Sequence, residues 1–164
     1  MRREFTFDRF VPTPASANAY RACGAMAECA PTSPGILLLH GPSGTGKTHL
    51  LHSIGHAVLH RSPARRLACV TVTELVDEII DALRRDCSGD FRKYSQLDVL
   101  LVDDLHVLAG RPRTQREIAG ILRACLDAGV RVVCAAAVAP IEIAELSAWL
   151  RSLPRSQLVV LPAT

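Results

Sequence analysis

The segment from His40 to Ser53 contains the residue types that bind phosphate. Within it, Gly41 to Thr48 reads GPSGTGKT and matches the pattern GxxxxGK[ST] at every fixed position. Small residues there let backbone N–H groups point inward around phosphate oxygens, and the N-terminus of the following helix adds partial positive charge. Lys47 is expected to reach the β- and γ-phosphates, and Thr48 to ligate Mg²⁺. The predicted nucleotide contacts are Gly41, Pro42, Ser43, Gly44, Thr45, Gly46, Lys47, Thr48 and His49.

A second chemical feature is the pair of carboxylates that ends the apolar segment Val99 to Asp103. A carboxylate at the tip of a strand beside a phosphate loop is placed to hold the Mg²⁺ of the nucleotide, here Asp103 acting through water. Asp104 would then be the catalytic residue that polarises an attacking water. Taken without the phosphate loop, two acidic residues in this place are equally consistent with a solvated turn.

Four histidines follow the loop at intervals of three, four and four residues, so they share one face of a helix: His49, His52, His56 and His60. The spacing permits a zinc site, but the helix offers no cysteine or carboxylate to complete it. Packing of the imidazoles, or exposure on a solvated flank, is the simpler interpretation. Zinc titration with substitution of His52 and His56 distinguishes these cases.

The apolar pattern around these motifs predicts a three-layer α/β domain with a mainly parallel sheet, because buried strands alternate with helices along the chain. The predicted strands are Ile36 to His40, Leu67 to Val72, Val99 to Asp103, Val130 to Ala136 and Leu158 to Leu161. The predicted helices are Ser16 to Cys29, Lys47 to His60, Thr73 to Arg85 with a Thr73 cap, and Thr114 to Ala128 with a Thr114–Glu117 capping box.

Composition sets further limits. With 164 residues, 49% of them hydrophobic, the chain has material for one core domain. Neither a membrane-spanning run nor a signal peptide is indicated, and six scattered cysteines without a CxxC pair suggest free thiols in a reducing cytoplasm. A net charge of +3 does not by itself predict a polyanion-binding surface. Lysine occurs only at Lys47 and Lys93, which suggests that the loop requires a compact ammonium group.

Four segments resemble the AAA+ nucleotide-binding domain of the bacterial replication initiator DnaA and its short relative Hda. They are FTFDRFV (5–11), HGPSGTGKTHLLHSIGH (40–56), DVLLVDDLHVLAGR (98–111) and RTQREI (113–118). The resemblance implies a P-loop NTPase with strand order 5-1-4-3-2, a strap over residues 1–15 and a core over 16–161. It also implies ATP or ADP with Mg²⁺ as ligand, and a role in starting or regulating chromosome replication.

The same resemblance suggests a DNA-binding surface. In DnaA, one hydrophobic and two basic residues line a channel for single-stranded DNA, and by alignment they fall on Ile80, Arg111 and Arg113. Considered alone, Arg111 and Arg113 are more typical of a solvated loop, although guanidinium groups on a loop also suit phosphate contacts. The resemblance implies DnaA, the sliding clamp or the replicative helicase as a partner. It implies no contact with a membrane.

The chain departs from the family where hydrolysis would be completed. The polar sensor position at the end of the fourth strand aligns with Ala137, and the two arginine-finger positions align with Trp149 and Leu153. Arg151 or Arg155 would replace them only after a shift in register. An arginine finger contributes about three to five orders of magnitude in rate, so little or no ATPase activity is expected. Trp149 is interpreted as a core residue or a partner contact.

The resemblance also leads us to expect that the helical lid and the helix-turn-helix DNA-reading domain of DnaA are absent. Three functions stay open on the sequence. The leading one is a nucleotide-binding module in replication initiation or its regulation. The others are a slow ATPase that loads a helicase or assists transposition, as DnaC and IstB do, and a decayed initiator paralogue that acts as an interaction scaffold.

Overall fold

The computed structural model describes residues 1–30, 33–84, 91–137, 140–153 and 156–162. The strands are β1 (Ile36–His40), β2 (Leu67–Thr71), β3 (Val99–Asp103), β4 (Arg131–Ala136) and β5 (Ser156–Val160). The α-helices are α1 (Ala17–Glu28), α2 (Lys47–Arg61), α3 (Val72–Arg84), α4 (Arg92–Ser95), α5 (Pro112–Asp127) and α6 (Ala144–Ser152). Short 3₁₀ helices cover Phe7–Arg9, Leu105–Leu108 and Pro140–Ile143.

The five strands form one parallel sheet of order β2-β3-β4-β1-β5, which confirms the predicted fold class and strand order. In this order the carboxyl ends of β1, β3 and β4 are neighbours. His40 pairs with Ala136 across β1 and β4, and Val102 pairs with Cys134 across β3 and β4. The phosphate loop and the acidic pair therefore leave the sheet at the same edge.

Two apolar layers cover the sheet. On one face Leu37, Leu39 and Leu101 pack against α1 and α2, and on the other Leu100 and Val102 pack against α3, α5 and α6. The three central strands are buried on both faces, which explains their continuous apolar sequences. In the described part of the chain every helix is too short or too polar to cross a membrane.

The sequence prediction was wrong at two helix starts. Helix α3 begins at Val72, and the capping residue is Thr71: its Oγ1 accepts the N–H of Glu74 at 3.3 Å, while the Glu74 carboxylate accepts the N–H of Thr71 at 2.6 Å. The predicted cap at Thr73 is therefore displaced by two residues.

The capping box predicted at Thr114 does not form, because α5 starts earlier, at Pro112, with Arg111 at the N-cap and no side-chain cap. Proline suits the first helical position because its missing N–H needs no partner there. Strand β5 also starts two residues before its predicted Leu158, at Ser156. Strand β2 ends at Thr71 instead of the predicted Val72. The predicted end of α3, at Arg85, lies outside the described residues.

Candidate nucleotide-binding site

The loop between β1 and α2 depends on glycine at two points of close approach. A Cβ on Gly41 would lie 1.9 Å from the carbonyl oxygen of Leu161, directly after β5. Gly46, the N-cap of α2, has φ +90°, and a Cβ there would lie 2.7 Å from the ring of Phe10. The sheet and the N-terminal segment therefore enclose the loop from two sides.

The Lys47 side chain is buried inside this loop. Its Nζ donates to the carbonyl oxygen of Pro42 at 2.5 Å and to Thr45 Oγ1 at 3.3 Å. Burial lowers the pKa of Lys47, while Asp103 and Asp104 act in the opposite direction. Its hydrogen-bond partners are neutral oxygens, so the ammonium is only partly compensated and the loop favours an anion.

Strand β3 delivers the acidic pair to the same place. Asp103 is buried, and its Oδ1 accepts the backbone N–H of Asp104 at 2.8 Å. Asp104 is half-exposed and adopts a left-handed conformation with φ +62°, which turns the chain sharply at the strand tip. Strands β1 and β3 lie on either side of β4 and end at the same edge of the sheet, so Lys47, after β1, and Asp103 and Asp104, at the end of β3, share one site. Thr48, the predicted magnesium ligand, is half-buried in the first turn of α2.

The histidines of α2 contact the N-terminal segment. His49 Nε2 donates to the carbonyl oxygen of Thr6 at 2.8 Å, and its ring stacks on Phe5 with centroids 4.8 Å apart. His52 Nδ1 accepts the N–H of Arg2 at 3.1 Å, and His56 Nε2 donates to the carbonyl oxygen of Arg2 at 2.8 Å. Three of the four rings thus serve packing, the simpler of the two interpretations. Within the described ranges no three His, Cys, Asp or Glu side chains form a group suited to a metal.

The tip of β4 presents only methyl groups beside the loop. Ala135 and Ala136 are buried, Ala137 follows the strand half-buried, and the carbonyl oxygen of Ala136 accepts the N–H of Gly41 at 3.3 Å. His40, the last residue of β1, pairs with Ala136, and its pKa is lowered by burial and then by Lys47. Sequence reasoning had assigned His40 no role. Its position as the last residue of β1, directly before Gly41, could have indicated that it lies beside the loop.

Trp149 in α6 and Leu153, directly after that helix, pack against the hydrophobic core and are partly buried. The Trp149 indole Nε1 is buried and has no hydrogen-bond partner among the described residues. Arg151 is exposed and its Nη2 donates to Ser147 Oγ at 3.2 Å in the same helix. Arg155, the other substitute considered for an arginine finger, lies outside the described residues.

The three residues aligned with the DNA channel lie on helices of one layer. Ile80 is 39% exposed on α3, and Arg111 and Arg113 are exposed at the start of α5. Neither arginine forms an ion pair with a described residue. Helices α3 and α5 both cover the same sheet face through Leu75 and Ile118. The hypothesis of a shared surface is compatible with this placement.

The sequence profile described as the bacterial DnaA ATPase domain matches residues 1–160. The chain belongs to this family. The DnaA proteins of Thermus thermophilus and Deinococcus radiodurans are 37% and 35% identical over 150 residues. These matches cover 91% of this chain but only 34% and 32% of the two relatives, so this DnaA-type domain spans about a third of their length.

Solved structures give the same fold. Domain III of the Thermotoga maritima replication initiation protein DnaA superposes with a TM-score of 0.87 at 27% identity, covering 98% of this chain and 68% of that one. AMPPCP-bound DnaA from Aquifex aeolicus gives 0.81 at 22% identity, with 98% and 50% covered. The DnaC helicase loader gives 0.75 at 14% identity, with 98% and 99% covered. The last two matches establish the fold alone.

Proposed function

We propose that this DnaA-type domain binds an adenine nucleotide with Mg²⁺ in the loop from Gly41 to Thr48. The observation that carries the proposal is the buried Lys47 ammonium, which is held by neutral oxygens inside a loop of matching sequence. The phosphates of a nucleotide would supply the missing negative charge. The Thr48 hydroxyl and Asp103, through water, offer the oxygen ligands that Mg²⁺ prefers. The relative from Aquifex aeolicus was solved with AMPPCP, an adenine nucleotide analogue.

Isothermal titration with ATP and Mg²⁺ tests this binding directly. We expect one site per chain, and loss of the binding heat in Lys47→Ala. The matched control is Lys93→Ala, because Lys93 is the other lysine and pairs with Glu78 on the surface. Absence of heat at millimolar ATP, together with an unchanged melting temperature, contradicts the proposal, since a ligand that binds only the folded state raises that temperature.

We further propose that hydrolysis is slow or absent. Asp104 is our candidate for the water-polarising carboxylate, but a second polar group at Ala137 and a neighbour's arginine would still be required to hold the γ-phosphate and the water. Trp149 and Leu153 occupy the aligned finger positions and pack, partly buried, against the core. Steady-state phosphate release should therefore be near background. A rate typical of active AAA+ ATPases that disappears in Lys47→Ala would refute this part.

The cellular role that fits is initiation or regulation of chromosome replication in the bacterial cytoplasm. The relatives named above are chromosomal replication initiators, and DnaA has also been solved with AMPPCP and single-stranded DNA. Candidate partners are DnaA, the sliding clamp and the replicative helicase. Self-assembly through the nucleotide site should be weak because the aligned finger positions carry no arginine. Pull-down of each purified partner, with and without ATP, distinguishes them.

Contact with single-stranded DNA is the part of this proposal that rests on Ile80, Arg111 and Arg113. Both arginines are exposed without an ion-pair partner among the described residues, so they are available to phosphates. Arg111→Ala is expected to weaken binding of a labelled oligonucleotide and to reduce the salt slope by about one unit. The matched control is Arg123→Ala on the same helix, where Arg123 lies 4.0 Å from Asp127. Equal losses in both variants would exclude a specific surface.

A slow helicase loader or transposition helper is the second candidate, because the DnaC structure is covered along 99% of its length. Hydrolysis stimulated by single-stranded DNA or by a helicase would favour it. An interaction scaffold without nucleotide is the third candidate. A null result in the ATP titration, combined with capture of a replication protein, would favour that one.

A further inference from the structure

The side chain of Gln115 joins two elements other than its own helix, α5. It is only 3% exposed, although glutamine is usually found at the surface. Its Nε2 donates to the carbonyl oxygen of Leu108 at 2.8 Å. Its Oε1 accepts the backbone N–H of Glu145 at 3.1 Å and that of Leu146 at 3.4 Å. The amide is therefore satisfied at both of its ends, as burial of a polar group requires.

The start of α6 receives its hydrogen-bond acceptor from another helix. The N-cap residue of α6 is Ile143, whose hydrocarbon side chain offers no acceptor. The first N–H groups of a helix have no partner within the helix, so they need an acceptor from elsewhere. Gln115 supplies it to Glu145 and Leu146, the second and third residues of α6. The placement of the first turn of α6 therefore depends on Gln115.

The other end of the amide holds the turn that follows the acidic pair of the nucleotide site. Leu108 ends the 3₁₀ helix Leu105–Leu108, and Asp104 is the N-cap of that helix. Asp103 Oδ1 accepts the N–H of Asp104 at 2.8 Å, so the proposed magnesium residue is oriented by the same turn. Because the turn is short and its two leucines are fully buried, we expect a movement of the Asp104 backbone to displace the Leu108 carbonyl group.

We propose that Gln115 is a positioning residue that makes the turn after the acidic pair and the first turn of α6 open and close as one unit, so that nucleotide binding stabilises the start of α6. The inference rests on the nucleotide binding proposed above. A nucleotide with Mg²⁺ needs Asp103 in place, and a ligand that binds only the closed unit suppresses its opening. The open and closed forms are the two states through which the two places are coupled. The domain thus responds to occupancy of the site, and hydrolysis is not required.

Amide hydrogen exchange of the whole chain, with and without ATP and Mg²⁺, measures this coupling at the two N–H groups themselves. With ATP at about 100 times its Kd, we expect exchange at Glu145 and Leu146 to slow by about tenfold or more, below the limit of about 100-fold that mass action sets. Calorimetry on the same sample verifies that ATP binds. A smaller change while ATP binds overturns the inference and leaves the proposed binding intact, whereas absence of binding overturns both.

The variant Gln115→Glu separates the cap from the coupling. An ionised carboxylate there still accepts the two N–H groups at the start of α6, where negative charge is favourable, but it cannot donate to the Leu108 carbonyl oxygen. We expect exchange at Glu145 and Leu146 to be as slow as in the nucleotide-free wild type, with ATP bound but no further slowing. Slowing by ATP that persists in this variant means that the coupling bypasses Gln115, and it overturns the inference.

The matched control is Arg116→Ala. Arg116 follows Gln115 in α5 and reaches the same residue of α6, with its guanidinium 3.6 Å from the Glu145 carboxylate, but both side chains are exposed and such pairs contribute little. This variant should keep the full slowing by ATP, and a loss equal to that in Gln115→Glu would contradict the role given to Gln115. The wild-type comparison needs no variant, so it can overturn the inference even if Gln115→Glu fails to fold.

Discussion

The contact between the strap ring Phe10 and the loop residue Gly46 can be tested by adding one methyl group. Gly46 and Gly44 have similar backbone conformations, with φ +90° and +82°, so an alanine at either position adopts a left-handed conformation. That conformation costs about 1–2 kcal/mol for a residue with a Cβ. The surroundings differ, because nothing lies within 4 Å of a Cβ on Gly44, while one on Gly46 lies 2.7 Å from Phe10.

The Phe10 ring has little freedom to give way. It stacks on Tyr20 with centroids 5.9 Å apart and meets His49 edge-on at 5.4 Å. Overpacking of this kind costs about 1–3 kcal/mol. We therefore expect the free energy of unfolding to fall by about 2–5 kcal/mol in Gly46→Ala and by about 1–2 kcal/mol in Gly44→Ala.

Urea unfolding without nucleotide measures both values, and a double-mutant cycle with Phe10→Ala isolates the contact. Truncating Phe10 should recover about 1–3 kcal/mol of the Gly46→Ala loss, because the colliding ring is gone. The same truncation should couple to Gly44→Ala by less than about 0.5 kcal/mol. Equal losses for the two glycines, or no coupling at Gly46, would refute the inferred contact between strap and loop.

Three further outcomes follow from the packing. Thr71→Ala should lower the free energy of unfolding by about 1 kcal/mol through loss of the α3 cap, while Thr73→Ala should change it by less than about 0.5 kcal/mol; thermal denaturation compares them. Hydrogen bonds from the backbone and hydroxyl of Thr71 lower the pKa of Glu74. The stability this adds is present above the ordinary glutamate pKa of about 4.3 and is lost as pH falls through the lowered value, so Glu74→Gln should flatten the acid limb of a denaturation series. Leu100→Ala, in a fully buried position of β3, should cost about 2–5 kcal/mol in the same urea assay.

Much of the fold was readable because buried parallel strands carry continuous apolar sequences. Strands β1 and β3 were predicted with their observed bounds, since turn residues or charges end the apolar run sharply at each. Helix starts were less predictable: Thr71 and Thr73 both offer a hydroxyl, and only backbone geometry decides which one caps α3. Helix α6 was not predicted as a helix, because a nine-residue segment shows too little periodicity.

The sequence by itself determined the phosphate loop and the acidic pair. Their chemistry depends on residue types at fixed local spacings, and a strand followed by GPSGTGKT leaves few alternatives. Only the tertiary structure decided what the histidines of α2 contact, because the strap that meets them lies more than 40 residues away in sequence. It also decided that β5 exposes Leu158 and Val160. An apolar strand reads the same whether a neighbour covers it or not, and only the order of strands in the sheet makes it an edge.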